Sequence, residues 1–161
     1  MKLFWKSLFW IVIVGLGLPV FGSLLGLILS SFIGVQGAGS PGREVLDETP
    51  VSTTPPDDLV NALSFFSGLT EVQKNEIKDS YRGKLVAWKL PVWDVSQRNE
   101  EFVIQTSSQG KIAIFCKIRP SDDNEAKRIR QLAAGHLITC KGIVNGYTLG
   151  NVNISPAKLA D

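Results

Sequence analysis

The chain is poor in the side chains on which most active sites depend. Its 161 residues hold one His, two Cys, two Tyr and one Met. Two cysteines exclude a disulfide-dense miniprotein. The lone His136 has no companion at metal-ligand spacing and reads as a solvated surface residue rather than a base or a ligand. A Gly-rich phosphate loop, a Ser nucleophile elbow and an HExxH motif are all missing. The carboxylate pairs Asp57-Asp58, Glu100-Glu101 and Asp122-Asp123 fall where helix caps and turns are expected. The expectation is therefore a non-enzymatic protein with no cofactor and no metal. A dominant charge is lacking too: 17 Lys and Arg face 15 Asp and Glu.

Charge is most conspicuously absent from Leu8 to Val35, 28 consecutive residues without an ionisable side chain. As a helix this run would reach about 42 Å against a hydrocarbon core of roughly 30 Å, which allows one tilted or kinked span and not two. Val35-Gln36-Gly37 is a passable cleavage pattern, but the apolar run is about twice the length of a secretory signal, so a retained anchor is the favoured reading over a cleaved signal. Lys2 and Lys6 precede the run, and Arg43 stands among Glu44, Asp47 and Glu48 after it; the N-terminus is expected in the cytoplasm and the rest outside. Pro19 predicts a kink. Gly22, Gly26, Ser30 and Gly34 recur every four residues, a ridge of small side chains suited to self-association or to a partner's helix, although glycine is common in membrane helices anyway.

Residues 36–56 follow, of which 12 are Gly, Pro, Ser or Thr, with no helix or strand period; the composition predicts a flexible tether. Residues 36–58 carry a net charge of −4 and residues 59–161 one of +4, too little positive charge to announce phosphate binding.

Residues 57–83 predict two short helices. The first would be capped by Asp57 or Asp58, carry Leu59, Leu63 and Phe66, and stop at Gly68; the second opens with the capping-box pair Thr70 and Gln73 and ends at Gly83. From Lys84 the period becomes two. Val86, Trp88, Leu90 and Val92 share a strand face, with Pro91 predicting a bend or an unpaired stretch. Phe102, Ile104 and Thr106 share a second face, and Ile112, Ile114, Cys116 and Ile118 a third, joined by the turn composition of Ser107 to Gly110. A helix from Asp122 places Ala126, Ile129, Leu132 and Ala133 on its apolar side and stops at Gly135. Ile138, Cys140, Gly142 and Val144 form a fourth face, and Asn145-Gly146 predicts a turn into a fifth strand with Val152 and Ile154.

Three strands, a helix and two strands is the order of a mainly-β, five-stranded OB-fold barrel of Greek-key type with one capping helix, here over residues 84–161. The stretches Leu69-Thr70-Glu71 with Gln73, Tyr81-Arg82-Gly83-Lys84-Leu85-Val86-Ala87-Trp88, Val92 with Asp94-Val95, and Gly135 with Ile138-Thr139-Cys140-Lys141-Gly142 resemble the bacterial OB-fold modules grouped as tRNA-anticodon-binding-like. The resemblance covers roughly residues 69–159, and its motifs are turn glycines and core positions. It implies the fold and, through the family's name, RNA binding, although similar exported modules occur with no established ligand. Where those modules often have a Gly after the Trp of the first strand, this chain has Leu90-Pro91.

On the outward side of the third strand stand Lys111, Phe115 and Lys117, followed by Arg119, at the address where OB-folds bind single strands or oligosaccharides. The favoured reading of these residues by themselves is a solvated strand face with Phe115 packed under the linker or the lead-in helices, because one aromatic is a thin stacking platform. Together these features predict an OB-fold binding module anchored in the bacterial inner membrane by one span and facing outward, engaging a protein or envelope component. Single-stranded nucleic-acid or glycan binding is the alternative. Alternation turns Cys116 and Cys140 inward; an oxidising compartment favours a bridge, but the demanding crossing of the barrel inclines the reading to two reduced core thiols.

Overall fold

The computed structural model of the chain describes residues 44–106 and 112–160. The N-terminal run with Gly22, Gly26, Ser30 and Gly34, the start of the linker, the Ser107–Gly110 turn and Lys111 all lie outside the described residues. Among the described residues, no helix is long and apolar enough to cross a membrane.

The period-two segments form β1 (Leu85–Arg98), β2 (Glu101–Thr106), β3 (Ile114–Ile118), β4 (Leu137–Thr148) and β5 (Asn151–Ala160). They close into a barrel in the order β1-β2-β3-β5-β4, with β3 and β5 parallel and the other neighbours antiparallel. Closure in this order, with a helix (Asp123–Arg130, labelled α3 by chain order) between β3 and β4, is the OB-fold arrangement. Alternation makes it possible. Val86, Trp88, Leu90, Val92, Phe102, Ile104, Ile114, Cys116, Ile118, Ile138, Cys140, Val144, Val152 and Ile154 all point inward and are buried, and Ala126 and Ile129 of α3 join them. The α3 cap is the expected one, Asp122 Oδ1 accepting from the Glu125 amide at 2.8 Å, but the helix stops at Arg130 rather than running through Leu132 and Ala133 to Gly135.

Pro91 does not interrupt β1. It pairs with Leu137, where β1 ends its ladder with β4 (Leu85 to Pro91) and begins its ladder with β2 at Val92. A register shift between Val92 and Asp94 follows immediately. One unpaired residue there bends a strand without glycine, which is how β1 serves both sides of the barrel despite Leu90-Pro91.

The expected turn at Asn145-Gly146 is not a turn. β4 continues through both residues to Thr148, with Gly146 paired to Asn153, and reverses at Leu149-Gly150. The turn composition is absorbed as a ladder irregularity between Val144 and Gly146.

Residues 44–56, read from composition as part of a tether, form a strap on the barrel. Leu46 is fully buried, the Val51 amide donates to the Leu85 carbonyl, and the Ala87 amide donates to the Ser52 carbonyl. Trp88 explains the strap: its indole is completely buried, and its Nε1–H finds a partner in Ser52 Oγ at 3.0 Å.

Helix α1 (Asp57–Leu63) has Pro56, not an Asp, at its N-cap, and it ends before Phe66. Asp58 is used otherwise: it accepts from its neighbour's amide and from the Tyr81 hydroxyl at 2.9 Å, tying α1 to α2 (Glu71–Tyr81). The capping box at the start of α2 forms in both directions between Thr70 and Gln73, and Gly83 follows the helix at φ +78°.

The sulfurs of Cys116 and Cys140 are bonded, with their α-carbons 6.3 Å apart, inside the usual limit for a bridge. This corrects the leaning towards free thiols: the barrel is narrow enough to be crossed inside β5.

Candidate functional site

The outward face of β3 is built by register. Phe115 stands opposite Gln105 of β2 on one side and Asn153 of β5 on the other, while Lys117 stands opposite Val103. Gln105 in turn pairs with Asp94 of β1. Phe115 is half-buried. Arg119 is exposed just past the strand, its Nε 3.7 Å from Glu101 Oε1. Phe115, Lys117 and Arg119 therefore share one side of the barrel.

Two residues of this face, Gln105 and Asn153, escape a reading of the sequence, because neither has a charge or a ring to mark it; only the cross-strand register brings their amides beside Phe115. Asn153 Nδ2 donates to Thr148 Oγ1 at 2.9 Å, so the face runs on into the β4–β5 hairpin. The arrangement offers the ring of Phe115, the amides of Gln105 and Asn153, the cations Lys117 and Arg119 and the carboxylates Glu101 and Asp94. That set can stack and hydrogen-bond.

Trp93, at the β1 irregularity, is 64% exposed. It lines an open groove of about 420 Å³ with Phe102, Arg130 and Leu132, where the Arg130 guanidinium lies 5.3 Å from the Phe102 ring centroid. Alternation alone turns Trp93 outward, a signal readable in the sequence.

His136 is exposed and structural. Its Nδ1 accepts from the Ala133 amide at 3.2 Å, and its carbonyl accepts from the Val92 amide, which closes the α3–β4 connection. Among the described residues no group of three or more His, Cys, Asp or Glu is placed to hold a metal.

The strongest electrostatic perturbation lies away from the β3 face. Burial pushes the Tyr147 hydroxyl up to about 12, with Asp79 adding to the shift and Arg82 opposing it. The hydroxyl donates to the Lys78 carbonyl at 2.7 Å, and Arg82 lies over the ring. Tyr81 is likewise raised, by burial first and then by its hydrogen bond to Asp58. Both phenols pin α2 to its neighbours and stay protonated.

No family model and no curated protein matches the chain. Among solved structures, it is similar to an asparaginyl-tRNA synthetase from Pyrococcus horikoshii (12% identity, 54% of this chain and 22% of that one, TM-score 0.40). An OBody bound to hen egg-white lysozyme aligns at 19% identity over 53% of this chain and 87% of that one, TM-score 0.38. An asparaginyl-tRNA synthetase from Entamoeba histolytica aligns at 16% identity over 69% of this chain and 24% of that one, TM-score 0.39. The chain spans less than a quarter of either synthetase's length. The OB-fold assignment rests on the strand order of the barrel itself.

Proposed function

We propose that the chain is a non-enzymatic OB-fold binding module, tethered to the bacterial inner membrane by residues 8–35 with its barrel outside the cell membrane, and that it engages a protein or envelope component through the β3 face. The observation that carries this reading is the seat of Phe115 between Gln105 and Asn153: an outward ring flanked by amides, at the position where barrels of this type receive ligands. The bridge between Cys116 and Cys140 supports export, because such bonds persist in oxidising compartments. Lys2 and Lys6 ahead of the run support an inward N-terminus.

Single-stranded nucleic acid or glycan is the second reading, favoured by the same ring and amides. Nucleic acid is the weaker half of it, since Arg119 is engaged with Glu101 and Asp94 shares the face. The test is capture by the tagged full chain from detergent-solubilised envelope. Phe115→Ala abolishes recovery of the partner and leaves the melting temperature nearly unchanged; a variant that captures as well as the parent contradicts the assignment of the face. Binding of single-stranded DNA that falls steeply with salt would establish the nucleic-acid reading instead. Protease added to intact spheroplasts removes the barrel if it lies outside, and protection contradicts that placement.

A further inference from the structure

Three large apolar side chains are almost entirely in water: Phe65 at 89%, Phe66 at 92% and Leu149 at 95% exposure. They belong to one rim. A β-carbon on Gly150, the neighbour of Leu149, would lie 3.2 Å from the Leu63 carbonyl oxygen, and Phe65 is only two residues, at most about 7 Å of chain, beyond Leu63. The two phenyl rings meet edge to face at 5.2 Å and have each other as company.

Each member costs the free domain something. Leu149 occupies a left-handed conformation, φ +49°, at the first position of a two-residue hairpin turn where Asn, Asp or Gly is usual. Phe65 and Phe66 follow a helix whose apolar residues Leu59 and Ala62 are buried. A fold that strains the backbone to hold a leucine in water close to two phenylalanines, these three being the most exposed large apolar side chains among the described residues, keeps a surface for something apolar.

We infer that this rim dips into the bilayer, so that the barrel is held against the membrane at a second point besides its anchor. The inference rests on the membrane tether proposed above. The three side chains sit on convex projections, a post-helix loop and a hairpin tip; a fluid bilayer conforms to such projections, whereas a protein partner needs matching pockets. Chain length agrees with it. The strap begins at Glu44, leaving eight residues after Val35, a reach of at most about 28 Å. Lys158, which pairs with Asp47 of the strap, is eight strand residues from the hairpin tip at Gly150, about 27 Å along β5. A tip at the membrane surface is therefore within the tether's span.

The test uses the full chain reconstituted in phosphatidylcholine vesicles. Phe66→Cys and Leu149→Cys, each labelled with an environment-sensitive nitrobenzoxadiazole group, are compared with Lys117→Cys on the β3 face. All three positions lie outside the core, so the variants retain the fold. The expected result is a blue-shifted emission at 66 and 149 that brominated acyl chains quench, with a water-like, unquenched emission at 117. Water-like emission at 66 and 149 in chains that float with the vesicles overturns docking while leaving the anchor intact, and is the result a protein-binding rim would give. Chains that fail to float overturn the anchor reading and docking together.

Discussion

Cys116 of β3 and Cys140 of β4 are joined across the barrel with their α-carbons 6.3 Å apart, although β5 lies between their strands in the sheet. Neither residue has any exposed surface. The bridge spans 24 positions of sequence, and by chain entropy a loop of that size stabilises the fold by on the order of 3 kcal/mol. Alkylation of the unreduced, unfolded chain should add no label. Replacing both cysteines by Ala should lower the unfolding free energy by roughly that amount. Two labels on the unreduced chain would show the thiols to be free.

At Gly142 the backbone of β4 lies close against β5. A β-carbon there would lie 2.5 Å from Ile154 Cγ2 and 2.6 Å from the Pro156 carbonyl oxygen. The carbonyl belongs to backbone and cannot swing aside, so Gly142→Ala should destabilise by about 2–3 kcal/mol in urea unfolding, at the upper end for overpacking.

Leu149 gives the opposite sign. Its left-handed backbone and near-complete exposure leave nothing to lose on replacement, and Leu149→Asn should raise stability by about 1 kcal/mol through relief of the turn. The same change should weaken the hold of the rim on the bilayer. A variant that unfolds less readily and yet docks less well would mark Leu149 as a residue kept for function at a cost to the fold.

Tyr147 predicts a pH dependence. Its folded pKa, about 12, lies above the unfolded value near 10, so its contribution is complete below pH 10 and is lost as pH rises from about 10 towards 12. Tyr147→Phe removes the bond to the Lys78 carbonyl and should cost about 1 kcal/mol at pH 8. The difference between parent and variant should narrow above pH 10. A gap that stays constant to pH 12 would show that the hydroxyl ionises as easily in the fold as out of it.

The inward faces of all five strands could be read from alternation, because a closed barrel buries one side of every strand and leaves period two intact. The capping box of Thr70 with Gln73 and the Asp122 cap were legible for a similar reason: they are satisfied within one helical turn and need no tertiary information. What escaped the sequence depends on distant partners. Asn145-Gly146 is a strong local turn signal, but Gly146 pairs with Asn153 and the strand runs on. The Pro, Ser and Thr of the strap look like free coil until Ser52 is seen to serve the buried Trp88 indole. Of the candidate site, Phe115, Lys117 and Arg119 were readable from one strand's alternation, whereas Gln105 and Asn153 come from two other strands and follow only from register.

The central claim is that the β3 face, with Phe115 at its middle, is where this module meets its partner. The most direct measurement is photo-cross-linking from benzoylphenylalanine placed at 115, in the full chain in its native membranes, with the same residue at Trp93 as control. The expected result is one discrete adduct from position 115, competed by excess unlabelled chain, and none from position 93. No adduct from 115, or equal adducts from both positions, would contradict the account.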